Sequence, residues 1–162
     1  MKIRIGQGWD RHALVKGRPC VLGGVLFKEC NVGPMGHSDG DALVHALIDA
    51  LLGASGLGDI GGLFPDTDPR WAGADSLDLL ARSWKLVQEK SYRIENVDCT
   101  IITETPKISP QAGAMREKLA EVLGIGADQI SIKATRGEGL GPEGRSECVT
   151  AMATVLLSTG LV

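Results

Sequence analysis

The sequence predicts a single α+β domain, built as a mixed β-sheet with helices packed on one face. Three observations predict it. The 162 residues suit one compact domain, with no internal repeat, low-complexity tract or linker to divide them. Segments of period-two apolar alternation and segments of helical period follow one another as β, hairpin, α, α, β, α, β, β. An apolar fraction of 43% with 23% charged residues is ordinary for a globular chain, and at this length roughly 70% of the unfolded surface is buried on folding. Helices on one sheet face leave the other to be covered, and oligomerisation is the simplest cover.

The elements follow in order. Ile3 and Ile5 alternate with Lys2 and Arg4, which predicts a first strand ending at Gly6. Val21-Leu-Gly-Gly-Val25-Leu-Phe27 reads as a hairpin turning at Gly23-Gly24. A helix is expected over 39–55, with Ser38 as N-cap, Asp41 completing a capping box, and Leu43, Leu47, Ala50, Leu51 and Ala54 facing inward. Residues 56–69 are too rich in Gly, Pro and Asp for regular structure, and a loop of that length in a small domain is usually functional or mobile. A second helix is expected over 76–90, with Leu77, Leu80, Ala81, Trp84 and Val87 on one face, and then a strand over 97–103. Pro110 begins and Gly124 stops a helix over 111–123. Residues 130–134 and 148–157 read as two closing strands.

Composition excludes several function classes. A net charge of −3 lacks the basic field that nucleic-acid binding needs, so any phosphate is met locally, by a metal or a few basic groups. Cys20, Cys30, Cys99 and Cys148 are widely spaced, without a CxxC pair, which argues against a zinc–thiolate cluster or a disulfide framework. No apolar run approaches the ~20 residues of a membrane span. The N-terminus, MKIRIGQGWDRH, turns polar too soon for a signal peptide, so a cytoplasmic location is expected.

Three clusters carry candidate chemistry. All three histidines lie in the first 45 residues. In extended chain Asp10 and His12 point to the same side, and His45 on the first helix can complete the set. Two imidazoles and one carboxylate form a three-ligand zinc set with an open fourth position. Asp49, one turn beyond His45, is a candidate partner for its ring. The plainer alternative is a loop histidine at 12 and a satisfied helix histidine at 45. The second cluster, His37-Ser38-Asp39-Gly-Asp41, reads as a helix entrance where Ser38 caps and the carboxylates meet the helix dipole. That leaves His37, which suits an anion-facing role. The third, Lys133-Ala-Thr135-Arg136-Gly137-Glu138-Gly139, is a glycine-rich turn. Its amides can cradle phosphate and Glu138 can hold a divalent ion. An ordinary hairpin loop is the alternative.

These residues lie in motifs that match a known family almost end to end. Gly8-Trp-Asp10-Arg-His12, His37-Ser-Asp39-Gly-Asp41-Ala-Leu-Val-His45-Ala-Leu, Leu57-Gly-Asp59-Ile-Gly61, Leu63-Phe-Pro-Asp66-Thr-Asp68-Pro and Lys133-Ala-Thr135 make the chain resemble the 2-C-methyl-D-erythritol 2,4-cyclodiphosphate synthases. The resemblance implies a phosphorus–oxygen lyase of non-mevalonate isoprenoid precursor synthesis, with one catalytic domain over 1–162. It further implies a homotrimer with active sites between subunits. Asp10, His12 and His45 would hold zinc, and His37 and Ser38 would meet substrate phosphate. Asp59, Ile60 and Gly61, with Phe64, Pro65, Asp66, Thr67 and Asp68, would form the mobile segment over the erythritol part. Thr103, Pro106 and Lys107 would receive the cytidine and its phosphates. Thr135, Arg136, Gly137 and Glu138 would contact the nucleotide phosphates, with Glu138 on a second ion, magnesium or manganese. Arg145 and Glu147 would lie near the trimer axis, where relatives hold an anion or an isoprenoid-like molecule. His37, Thr135 and Arg136 are the expected catalytic residues. Arg136 departs from the small hydroxyl residue relatives often carry, and Pro142 replaces a common aromatic. A metal-dependent phosphohydrolase acting on a nucleoside-diphosphate-linked substrate is the competing enzyme class, and a nucleotide- or isoprenoid-binding trimer the non-catalytic one.

Overall fold

A computed structural model describes residues 1–160, so the last two residues of the expected domain lie outside the described ones. Five strands form the main sheet in the order β4-β1-β7-β5-β6. These are β1 (Ile3–Lys16), β4 (Val32–Pro34), β5 (Tyr92–Ile102), β6 (Ile130–Thr135) and β7 (Cys148–Thr159). The sheet is mixed because β5 and β6 run parallel, joined through helix α4 (Ala112–Leu123), while the other pairs are antiparallel. The expected hairpin forms as β2 (Val21–Leu22) and β3 (Val25–Leu26), with Gly23 and Gly24 both at positive φ, as the tight turn demands.

The first strand does not end at Gly6. It continues to Lys16, pairing with β7 from Ile3↔Ser158 to Ala13↔Cys148 and then with β4. Gly6 and Gly8 are clearance points within it. A Cβ on Gly6 would lie 1.9 Å from the Ala50 carbonyl oxygen, and one on Gly8 only 1.8 Å from that of Ala46. Helix α1 (Ala42–Ser55) therefore lies directly on β1, as no side-chain-bearing residue would permit. This contact brings His45, beside Ala46, down to the strand carrying Asp10 and His12.

The first helix starts at Ala42, three residues later than expected, and Asp41 is its N-cap. The fully buried Asp41 carboxylate accepts the N–H groups of Val44 (3.1 Å), Gly23 (2.9 Å) and Gly24 (2.7 Å). One side chain thus caps α1 and anchors the hairpin, which releases Ser38 from the capping role. Burial pushes Asp41 up to about 6, against the pull of the Gly24, Val44 and Gly23 amides.

Helices α1, α3 (Ser76–Glu89) and α4 cover one sheet face. The inward side of α3 runs through Leu79, Leu80, Ser83, Trp84 and Val87, so the predicted stripe is shifted and Ala81 is exposed. Within the long loop a single turn, α2 (Ile60–Leu63), is capped by the Asp59 carboxylate on Gly62 N–H. On the other sheet face Ile3, Ile5 and Trp9 stand exposed at 54%, 71% and 53%. The four cysteines are free thiols. No helix among the described residues is long and apolar enough to cross a membrane.

Candidate active site

Extended backbone along β1 aims Asp10 and His12 to the same side, toward α1. Asp10 Oδ2 lies 2.8 Å from His12 Nε2 and 3.2 Å from His45 Nδ1, and the two ring nitrogens are 3.1 Å apart. Tetrahedral zinc with ligands at ~2.0–2.1 Å needs donor separations of about 3.3 Å. The three donors fit such an ion with little adjustment, and the set reads as carboxylate plus two imidazoles with a fourth position open. Among the described residues, this is the group whose donors gather closely enough to hold a metal.

Each ring is held from behind. His12 Nδ1 donates to the Met35 carbonyl at 2.6 Å, which leaves Nε2 as the free lone pair. His45 Nε2 meets Ser76 Oγ at 2.9 Å and Ser38 Oγ at 3.0 Å. The expected partner, Asp49, does not touch the ring in this way. Its Oδ1 accepts the Ile60 N–H at 2.7 Å, because the ring's second nitrogen points toward α3 and away from the next turn of α1. Burial raises Asp49 above the usual carboxylate range, against the pull of that amide. Burial also opposes charge on Asp10, but the hydrogen bonds and charge of His12 and His45 outweigh it and hold the carboxyl well below its ordinary value. Burial likewise opposes charge on His12, yet Asp10 and then Met35 raise its pKa.

The two imidazoles of the trio border a cavity of about 380 Å³ lined by His12, His37, Ser38, His45, Ile60, Gly61, Phe64, Pro65, Asp66, Trp71 and Leu79. Phe64 and Trp71 meet edge to face, with centroids 4.9 Å apart, and form an apolar wall. His37 Nε2 lies 3.4 Å from the Asp68 carbonyl. The Asp68 carboxylate is taken by Arg70, which holds its pKa down, and Thr67 does not line the cavity.

The second half of the predicted site forms a separate cavity of about 400 Å³, bounded by Thr103, Glu104, Pro106, Lys107, Ile108, Ser109, Pro110, Ala134, Thr135 and Arg136. It shares no lining residue with the first. Thr103 N–H donates to the Thr135 carbonyl at 3.1 Å, tying the ends of β5 and β6 together. Arg136 is not free. Its guanidinium binds Glu104 Oε2 at 2.6 and 2.9 Å, while Glu104 Oε1 accepts the Glu138 N–H at 2.8 Å. Glu138, at φ +53°, and Gly137 lie in that turn but line neither cavity. Exposed Arg145 pairs with Glu147 at 2.7 Å, also away from both.

Fold and site together define an α+β protein in which a carboxylate and two imidazoles able to hold a metal ion gather beside a cavity of about 380 Å³. A family model described as the YgbB family matches residues 3–158, and the chain belongs to that family. It is 53% identical over 161 residues to a protein of Thermosynechococcus vestitus named 2-C-methyl-D-erythritol 2,4-cyclodiphosphate synthase, covering 99% of each chain. A Cyanothece sp. protein of the same name is 54% identical over 155 residues, 96% of each. Among solved structures, a 2C-methyl-D-erythritol-2,4-cyclodiphosphate synthase in its CDP-bound form superposes with TM-score 0.87 at 42% identity, covering 96% of this chain and 100% of that one. The bifunctional IspDF of Campylobacter jejuni gives TM-score 0.94 at 38% identity, covering 98% of this chain and 43% of that longer one.

Sequence reasoning missed Ser76, the Met35 carbonyl and the use of Asp39. An acidic–Ser pair opening a helix, Asp75-Ser76, reads as a cap and carries no further signal. Nothing local says that Ser76 faces a histidine 31 positions earlier.

Proposed function

We infer that this chain catalyses the cyclisation of 4-diphosphocytidyl-2-C-methyl-D-erythritol 2-phosphate to 2-C-methyl-D-erythritol 2,4-cyclodiphosphate, with release of CMP. It is thus a phosphorus–oxygen lyase of isoprenoid precursor synthesis. The observation that carries this reading is the convergence of Asp10, His12 and His45, with both imidazoles lining one cavity beside His37 and Ser38, in a chain whose relatives bear that enzyme's name along their full length.

In the reaction an oxygen of the 2-phosphate bonds to the β-phosphorus. The bond from that phosphorus to the oxygen bridging the α-phosphate breaks, and CMP leaves with the electron pair. The nucleophile is already an anion, so no strong base is needed. The work falls on alignment and on charge. A zinc ion held by Asp10, His12 and His45 would neutralise phosphate charge and act as a template. His37 and Ser38 donate to phosphate oxygens from the same cavity, each donor contributing up to about 2.7–4 kcal/mol by analogy with oxyanion holes. Holding the two reacting groups of one substrate together contributes as much as ~7–11 kcal/mol. Residues 59–68 close over the erythritol part and exclude water, which would otherwise hydrolyse the diphosphate.

Thr103, Pro106 and Lys107 take the cytidine. Thr135, Arg136 and Gly137 take its phosphates, with Arg136 exchanging Glu104 for substrate. Glu138 offers one carboxylate, which suits magnesium or manganese in company with substrate phosphates. Exposed Ile3, Ile5 and Trp9 on the uncovered sheet face support self-association, and in a homotrimer a closed ring of three copies would gather that face around the axis. In that assembly the metal-bearing cavity of one subunit joins the nucleotide cavity of the next. Arg145 and Glu147 lie near the axis, where they would hold an anion or an isoprenoid diphosphate. A cytoplasmic location and one catalytic domain over 1–162 complete the reading.

Product analysis tests it. Incubation of the substrate with zinc-loaded enzyme in ¹⁸O-labelled water should yield a cyclic diphosphate, identified by ³¹P NMR, with CMP and no label in the product. A linear, labelled phosphate would instead establish the phosphohydrolase reading, and ligand binding without CMP release the non-catalytic one.

A further inference from the structure

His45 presents Nδ1 to Asp10 and His12, and its other nitrogen is served by two hydroxyls at nearly equal range, Ser76 at 2.9 Å and Ser38 at 3.0 Å. They are not equivalent. Ser76 is 1% exposed, does not line the cavity, and gives its own proton to Asp39 Oδ1. A serine hydroxyl has one proton to give. With that proton committed to a carboxylate, Ser76 Oγ can only accept from the ring, so Nε2 carries the hydrogen and Nδ1 is the bare lone pair. The carboxylate is held in turn: Asp39 Oδ2 accepts the Ser76 backbone N–H at 2.9 Å, and Oδ1 also accepts the Asp41 N–H at 3.1 Å. Ser38 is placed differently. It lines the cavity, and its oxygen meets only a long contact from Gly40 N–H at 3.4 Å besides the ring.

We propose that Asp39 and Ser76 form a positioning relay that sets the tautomer and orientation of His45 for metal binding, while the Ser38 hydroxyl is left to donate to substrate phosphate. The relay joins the start of α3 to the loop before α1, so the two sides of the cavity are held through the ligand itself. Its carboxylate end makes the imidazole a better donor to a cation, as hydrogen-bonded carboxylates do behind other metal-bound histidines. The inference rests on the metal reading of Asp10, His12 and His45.

Zinc affinity, measured on the purified apo protein by competition with a chromogenic chelator, tests it without reference to turnover. Ser76→Ala deletes the hydroxyl but keeps the backbone N–H to Asp39, and should weaken zinc binding about 10–100-fold. Asp39→Asn should weaken it in the same direction, and Ser38→Ala should leave zinc affinity unchanged while raising KM. Ser76→Ala or Asp39→Asn binding zinc as tightly as wild type would overturn the relay, as would an equal loss in Ser38→Ala. Should either variant fail to fold, ¹⁵N-histidine NMR of the apo wild type at pH 8 decides, with Nε2 of His45 protonated as proposed or the opposite tautomer against it. Wild type binding zinc no better than His45→Ala is a separate outcome, and would sink the metal reading itself.

Discussion

Gly8→Ala is a test of how the metal site is built, because it touches no ligand. The added Cβ would lie 1.8 Å from the Ala46 carbonyl oxygen, 2.7 Å from its carbon and 2.9 Å from the Ala50 nitrogen, all of them backbone atoms of α1. No rotamer relieves the clash. To reach even 3.0 Å, a separation real Cβ atoms rarely go below, helix and strand must part by 1.2 Å. His45 precedes Ala46 on the helix, and Asp10 lies two residues beyond Gly8 on the strand. The same movement carries His45 Nδ1 from 3.2 Å to about 4.4 Å from Asp10 Oδ2, well past the separation of about 3.3 Å that two ligands of one zinc ion require. Overpacking of this kind costs about 1–3 kcal/mol, or roughly 2–12 °C in Tm for a domain of this length. Gly53→Ala on the same helix is the control. Its Cβ would meet nothing within 4 Å, so it should gain up to about 1 kcal/mol from helix propensity and keep full metal affinity. Calorimetry with zinc titration reads both effects. Gly8→Ala with wild-type Tm and wild-type zinc affinity would refute the close-contact reasoning.

Other expectations follow from single contacts. Asp41→Ala removes the α1 cap and strands the Gly23 and Gly24 amides, which should cost about 3–5 kcal/mol in denaturant unfolding. Asp49→Ala frees the Ile60 N–H and loosens the segment over the substrate. A hydrogen bond of about 0.5–1.5 kcal/mol predicts a KM roughly 2–10-fold higher in steady-state assays, with the metal retained. His12 has a raised pKa in the folded chain, so its pairing with Asp10 stabilises the apo protein below pH 6.5 and is lost as pH rises through the raised value. Metal uptake must displace that proton, so zinc affinity should fall on acidification, from somewhat above pH 6.5, by up to about tenfold per pH unit. A zinc affinity flat between pH 6 and 8 would contradict the shift.

The convergence of Asp10, His12 and His45 was legible because the chain has three histidines and two of them sit at spacings that meet an acid. The length of β1 was not. Gly6 looks like a strand terminator in sequence, and only the position of α1 reveals it, with Gly8, as clearance. Ser38 was mistaken for the cap because it stands three residues before Asp41 in a familiar pattern. Asp41 caps instead, since a carboxylate there can satisfy a helix amide and two hairpin amides at once. Asp49 and Ser76 show the limit of local periodicity. The i+4 neighbour was the expected partner of His45, whereas the actual partner comes from another helix, 31 positions away. β4 was missed because three residues carry no readable alternation.

Whether the cavity beside Asp10, His12 and His45 and the cavity proposed for the nucleotide act on one substrate, joined between neighbouring subunits, is decided by mixing two damaged enzymes. His45→Ala disables the first half, and Lys107→Ala with Thr135→Ala disables the second. Unfolded together in equal amounts and refolded, they should recover about one quarter of wild-type CMP release with zinc present, since in a cyclic trimer one interface in four combines two intact halves. A mixture as inactive as its two components would contradict a site shared between subunits.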